Sequence, residues 1–203
     1  MSAQAPQTQA LASLRARNLR TVGALAALFM LPLLAAFLLY YGLGWRPSGH
    51  TNYGELIQPP LPLEASGLKL ADGSPAGADL LRRQWTLVYV GAGDCDESCR
   101  HALYVMRQTR LGLNTDMTRV RRVFLATGAC CDRAFLEREH QGLILVDASA
   151  APRLLAQFPA DERSQMLFIV DPLGNLMMRY DARRNPRGLF EDLKKLLQLS
   201  HIG

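Results

Sequence analysis

The sequence predicts an α/β domain, a central mixed sheet flanked by helices, carried on an N-terminal transmembrane helix. Three observations predict it. Positions 22–45 form an apolar run without a charge. Apolar, β-branched segments at 85–91, 120–126 and 166–170 alternate with segments of helical period, the pattern of βαβ units. Two cysteines, Cys95 and Cys99, stand where the first of those strands gives way to a helix.

Composition excludes some classes. The net charge is +5, which would suit a nucleic-acid binder. The first 45 residues hold Arg15, Arg17 and Arg20 and no acid, leaving 20 of the 23 basic residues beside all 18 acidic ones. No dense basic stripe of the kind an electrostatic footprint needs is visible, so nucleic acid is not an expected partner. Four cysteines in 203 residues are too few for a disulfide scaffold, and two form a spaced pair.

Residues 1–20 read as a disordered cytoplasmic leader, polar at the start, and 21–45 as the anchor. At about 1.5 Å per residue the uncharged run spans a hydrocarbon core of about 30 Å. Pro32 is tolerated in a membrane helix. Tyr40, Tyr41 and Trp45 crowd the far end, as at an interfacial aromatic belt. A cleaved signal would have a shorter apolar core followed by small residues; here aromatics follow. Three arginines before the span against Arg46 after it put the N-terminus in the cytoplasm. In a bacterium this means a single-pass inner-membrane protein with a periplasmic C-terminal domain, where paired thiols can be oxidised.

Residues 46–63 read as a proline-rich tether. Pro59, Pro60 and Pro62 keep it extended. The domain proper is expected over 64–203. Residues 67–71 alternate and Asp72-Gly73 signals a tight turn, so a short β-ribbon is expected there. A helical turn is expected over 79–83. Residues 85–91 are a fully buried strand. The helix after Cys99 carries Leu103, Met106, Leu111 and Leu113 and ends near Asn114. Residues 120–126 form the next strand and 128–132 its loop. Helices are expected over 135–140 and 150–158, with a short strand at 143–146. A hairpin follows, 166–170 and 176–180, joined by Asp171-Pro-Leu-Gly-Asn175. Asn185 caps a last helix whose apolar face is Leu189, Leu193, Leu196 and Leu197. Leaving aside the strand at 143, the order is β-α-β-α-β-β-α. With a cysteine pair at the first strand–helix junction, this is the thioredoxin arrangement.

A helix N-terminus favours thiolate. Cys95 and Cys99, four apart, can close a disulfide, cycle as a dithiol, staple the loop inertly, or bind a soft ion such as copper(I). Asp94, Asp96 and Glu97 oppose thiolate, while Arg100 favours it. Cys130 and Cys131 are expected near the same sheet edge, because parallel strands end on one side. They read as auxiliary thiols, as a vicinal disulfide, or as one buried small residue beside an incidental one. His50, His101, His140 and His201 read as surface residues, and Met166 as core.

In these features the chain resembles the SCO/SenC family of membrane-anchored copper and thiol proteins that assist cytochrome c oxidase assembly. The resemblance runs over about residues 53–198. It rests on the single anchor, Gly54-Glu-Leu-Ile-Gln-Pro-Pro60, the strand before Cys95-x3-Cys99, Leu167-Phe-Ile-Val-Asp-Pro-Leu-Gly174, and Gly188-Leu-Phe-Glu-Asp-Leu-Lys-Lys-Leu-Leu197. It implies a thioredoxin-like fold, copper as the metal, and Cys95 and Cys99 as the family's two cysteines. The family's prolines around the cysteines are replaced by Asp96-Glu97-Ser98 and Arg100. Its copper-ligating histidine falls at about Arg163, with no histidine between His140 and His201. This is the pattern of a divergent member that keeps the thiols and has lost or changed the metal role.

The expected function is therefore assistance to cytochrome c oxidase assembly at the inner membrane. Cys95 and Cys99 would cycle between dithiol and disulfide, acting on oxidase subunits or on another copper or thiol assembly protein. Two other classes compete. A general thiol–disulfide oxidoreductase or peroxidase would turn over model substrates. A non-redox assembly scaffold would leave the cysteines dispensable.

Overall fold

The uncharged run forms a helix. In a computed structural model, which describes residues 5–45, 51–77, 79–128, 131–159, 163–200 and 202, α1 covers Ala5–Phe37 and continues as a π-helical turn over Leu38–Gly42. Arg17–Gly42 is long and apolar enough to cross a membrane. Its large apolar side chains are exposed, Leu28, Phe29 and Leu33 among them. The leader expected to be disordered over 1–20 is helical from Ala5 onward. Alanine, leucine, glutamine and arginine are good helix formers, and extending an existing helix needs no new nucleus.

The chain divides into two units, 1–50 and 51–203. The second unit holds seven strands and four helices among the described residues. They run β1 Glu55–Pro62, β2 Lys69–Leu70, β3 Trp85–Ala92, α2 Glu97–Gly112, β4 Val120–Thr127, α3 Arg133–Glu139, β5 Leu143–Asp147, α4 Pro152–Ala156, β6 Met166–Val170, β7 Asn175–Asp181 and α5 Pro186–Leu199. One mixed sheet contains all the strands, in the order β1-β7-β6-β3-β4-β5-β2. The β3–β4 and β4–β5 pairs are parallel and the other pairs antiparallel. This is the expected fold class.

The domain does not begin at residue 64. Part of the expected tether, 46–63, is the edge strand β1. Glu55 and Leu56 pair with Arg179 and Met178, Leu61 and Pro62 pair with Leu176 and Asn175, and the register breaks between them. Pro59 and Pro60 fall in that break, where no ladder donor is required, and an edge strand tolerates proline. Arg179 clamps the start of β1 through two hydrogen bonds to the Glu55 carboxylate, at 2.8 and 2.7 Å.

The central strands are apolar on both faces because both faces are covered. Leu87, Tyr89, Phe124, Ile169 and Met178 pack toward α2 and α5. Val88, Val90, Val123, Leu125 and Phe168 pack on the other face with Leu81, Leu154 and Phe158. The period of two along each strand produces this division.

The ribbon at 67–75 is present. The Leu70 N–H donates to Ser74 O at 2.8 Å, Gly73 takes a φ of 85°, and β2 adds to the edge of β5. Residues 79–83 form turns rather than a helix. The Asp171 carboxylate caps its own turn by accepting from the Leu173 and Asn175 N–H groups at 2.9 and 2.8 Å. Asn185 caps α5 by accepting from the Gly188 N–H at 2.8 Å.

Candidate functional site

The strand β3 delivers the chain to the sheet edge, and the next residues turn back. The Cys95 N–H donates to Ala92 O at 3.3 Å. Cys95 takes a φ of 46°, a left-handed conformation uncommon for a residue with a β-carbon. Asp96 follows in an extended conformation, and its Oδ1 accepts from the Cys99 N–H at 2.9 Å. One of the three acids flanking the pair is thus the N-cap of α2, where a carboxylate satisfies an orphan donor and complements the helix dipole.

Cys95 and Cys99 form a disulfide, with their Cα atoms 5.0 Å apart. Both residues are buried, 2% and 1% exposed. Closing so short a loop stabilises the fold by about 2 kcal/mol in the chain-entropy model. Of the alternatives the sequence left open, the structure holds the oxidised pair, packed into the core beneath α2.

Arg100 organises the surroundings. Its Nε–H donates to Cys95 O at 3.3 Å, its guanidinium lies 4.3 Å from the Phe135 ring centroid, and Asp132 is 3.8 Å away. The loops after β3 and β4 meet, as the parallel register requires: Gly93 N–H donates to Thr127 O at 3.3 Å, and Thr127 Oγ1 to Gly91 O at 3.2 Å. Cys131 is half-buried against the same core as the disulfide. It takes part in a disulfide, so it is not a free auxiliary thiol. Cys130 lies outside the described residues.

Behind the pair, the Tyr89 hydroxyl donates to Ser164 O at 2.8 Å. Burial, and then the Asp96 charge, push that phenol up from its ordinary value. Ser164 belongs to a 3₁₀ turn, Arg163–Gln165, just before β6. Arg163, at the position where the resemblance placed a ligand histidine, donates to Phe158 O at 2.8 Å and Pro159 O at 3.4 Å. It fastens a loop.

His101 is exposed and its Nε2 lies 3.3 Å from Ala182 O. His140, expected on the surface, is 4% exposed and packs edge-on against Phe135. The short α3 turns it inward. His50 and His201 lie outside the described residues. Among the described residues, no group of three or more His, Cys, Asp or Glu side chains is arranged to hold a metal. A copper site completed by a third such ligand does not fit them.

Residues 85–200 match the family of transmembrane-like, thioredoxin-like C-terminal domains. The chain belongs to that family. Solved structures share the fold of this thioredoxin-like chain. Apo Sco1 from Thermus thermophilus superposes with a TM-score of 0.57 at 17% identity, over 75% of this chain and 99% of that one. Yeast Sco1 with copper bound gives 0.57 at 12% identity, over 75% and 96%. BsSco, a member of the Sco family of cytochrome c oxidase assembly proteins with an identified disulfide switch, gives 0.53 at 15% identity, over 71% and 96%. The expected likeness to SCO/SenC proteins is therefore found in the fold. No curated protein matches the sequence.

Proposed function

We propose that this chain is a membrane-anchored thiol protein that assists cytochrome c oxidase assembly. Its N-terminus lies in the bacterial cytoplasm and its thioredoxin-like domain in the periplasm. The observation that carries the reading is the Cys95–Cys99 disulfide at the N-terminus of α2, on a Sco-like fold. Arg15, Arg17 and Arg20 before the span support the orientation.

In the proposed step, Cys95 and Cys99 in the dithiol form give two electrons to a disulfide of an oxidase subunit or another assembly protein. One cysteine thiolate attacks a partner sulfur, forming a mixed disulfide and releasing the partner's first thiolate. The second cysteine then attacks its neighbour, closing the intramolecular disulfide and releasing the second partner thiolate. Two protons pass to the partner's thiols, and an external dithiol reductant restores the pair. Because both sulfurs are buried, the Cys95 loop must open for either to be attacked. No step runs through copper.

The near-complete burial of the pair favours one second reading, a scaffold that binds oxidase subunits without redox turnover. Both readings are tested together in a strain deleted for the gene, complemented with full-length chain. Under the thiol reading, Cys95→Ser and Cys99→Ser fail to restore oxidase activity although the chain accumulates in the membrane. Full restoration by both variants rules the thiol step out and leaves the scaffold.

A further inference from the structure

Arg122 lies on β4 with 3% exposure. Its Nη2 donates to Gln141 O at 2.5 Å, while Nε and Nη1 are buried without an acceptor. Three of the five guanidinium N–H donors are thus unsatisfied. A buried charged donor left unpaired is costly, and its neighbours add to the cost. Burial, and then the charges of Arg110 and Arg107, bring its pKa down to about 10.

The group lines a cavity of about 230 Å³, together with Arg107, Arg110, Arg138, Glu139 and Gln141. Arg110 is held by donating to Val120 O at 2.7 Å, and Glu139 pairs with Arg138 at 3.0 Å. Four guanidiniums therefore face one carboxylate. The C-terminal end of α2 offsets about half a charge more, which leaves the lining strongly cationic. A monoanion would leave most of that charge uncompensated, whereas a phosphate dianion removes about two units of it. The cavity has the volume of roughly seven waters, room for a phosphoryl group. It lies toward the far end of α2, with Arg110 about 16 Å along the helix from Cys99, and so is separate from the disulfide.

We propose that this cavity is a binding site for a phosphate-class oxyanion, free orthophosphate or the phosphoryl group of an ester such as a lipid headgroup, with Arg122 as its buried anchor. Arg107 and Arg110 supply further charge, and Gln141 O holds the Arg122 fork in place.

The test uses full-length chain in detergent, at constant ionic strength set with sodium chloride. Orthophosphate and glycerol 3-phosphate are titrated separately, by calorimetry and by thermal melting. At least one raises Tm and binds; a response to the ester alone assigns the headgroup source, and a response to orthophosphate the free ion. Arg122→Met melts at or above the wild-type temperature without phosphate, because a buried uncompensated cation is gone, and loses the phosphate-dependent rise. Arg107→Gln, a half-buried position, keeps the fold and weakens binding by about tenfold. The site is overturned if neither phosphate shifts Tm, if both variants bind as tightly as wild type, or if acetate binds as tightly as phosphate.

Discussion

The Arg100 guanidinium lies over the Phe135 ring, 4.3 Å from its centroid, while its Nε–H reaches the carbonyl of Cys95 at 3.3 Å. One side chain thus joins the disulfide loop to the helix after β4. Its ion pair with Asp132, 3.8 Å long between half-exposed groups, adds little. The ring contact and the hydrogen bond matter more. Arg100→Ala should lower stability by about 1 kcal/mol and speed reduction of Cys95–Cys99 by dithiothreitol a few-fold. Phe135→Leu should reproduce the stability loss in part. Thermal melts and reduction kinetics check this; identical rates in Arg100→Ala and wild type would mean that Arg100 does not restrain the loop.

Asp192 is 5% exposed. Its Oδ2 accepts from the Tyr53 and Gly54 N–H groups at 2.7 and 2.9 Å and from the Tyr180 hydroxyl at 2.8 Å. These bonds tie the start of the sheet domain to α5 and β7. Asp192→Ala strands buried donors and should cost about 3 kcal/mol, whereas Tyr180→Phe, which removes one donor, should cost about 1 kcal/mol. Urea unfolding of the full chain in detergent measures both. Equal losses would show that the two backbone donors find water instead.

His140 carries a pH dependence. Burial, then Arg122 and Arg107, hold its pKa below the ordinary histidine value, with Glu139 opposing. The unfolded chain therefore takes up a proton at a pH where the folded chain does not. Stability from this residue is complete above the unfolded value of about 6.5 and is lost as pH falls below it. The slope is at most about 1.4 kcal/mol per pH unit for one proton. His140→Gln should flatten the Tm profile between pH 7 and 5 relative to wild type. Parallel profiles would mean that the folded protein accepts the proton freely.

Much of the site was legible because its signals are local. A β-branched run, a turn and a helical period place Cys95 and Cys99 at a strand–helix junction without any long-range information. Asp96 reads from the sequence only as a charge opposing thiolate; its role as N-cap emerges once α2 is seen to start at Glu97. Other features left no local trace. Pro59 and Pro60 argue for a tether until a break in register against β7 accommodates them. His140 reads as surface until α3 turns it inward. The Val120-Arg-Arg-Val123 alternation puts Arg122 on one face of a strand, but nothing nearby in sequence says that Arg107, Arg110 and Arg138 converge there.

By itself, the sequence determined the apolar span, the alternation of strands and helices, and a four-residue spacing that lets two cysteines meet. These depend on periodicity, propensity and short-range geometry, which each segment carries alone. Only the tertiary structure decided that the cysteine pair is oxidised and buried, that β1 belongs to the sheet, that Arg163 fastens a loop at the position where the resemblance placed the family's histidine, and that four guanidiniums crowd one cavity. Each depends on contacts between residues distant in the chain, made when packing of the two sheet faces chooses their neighbours.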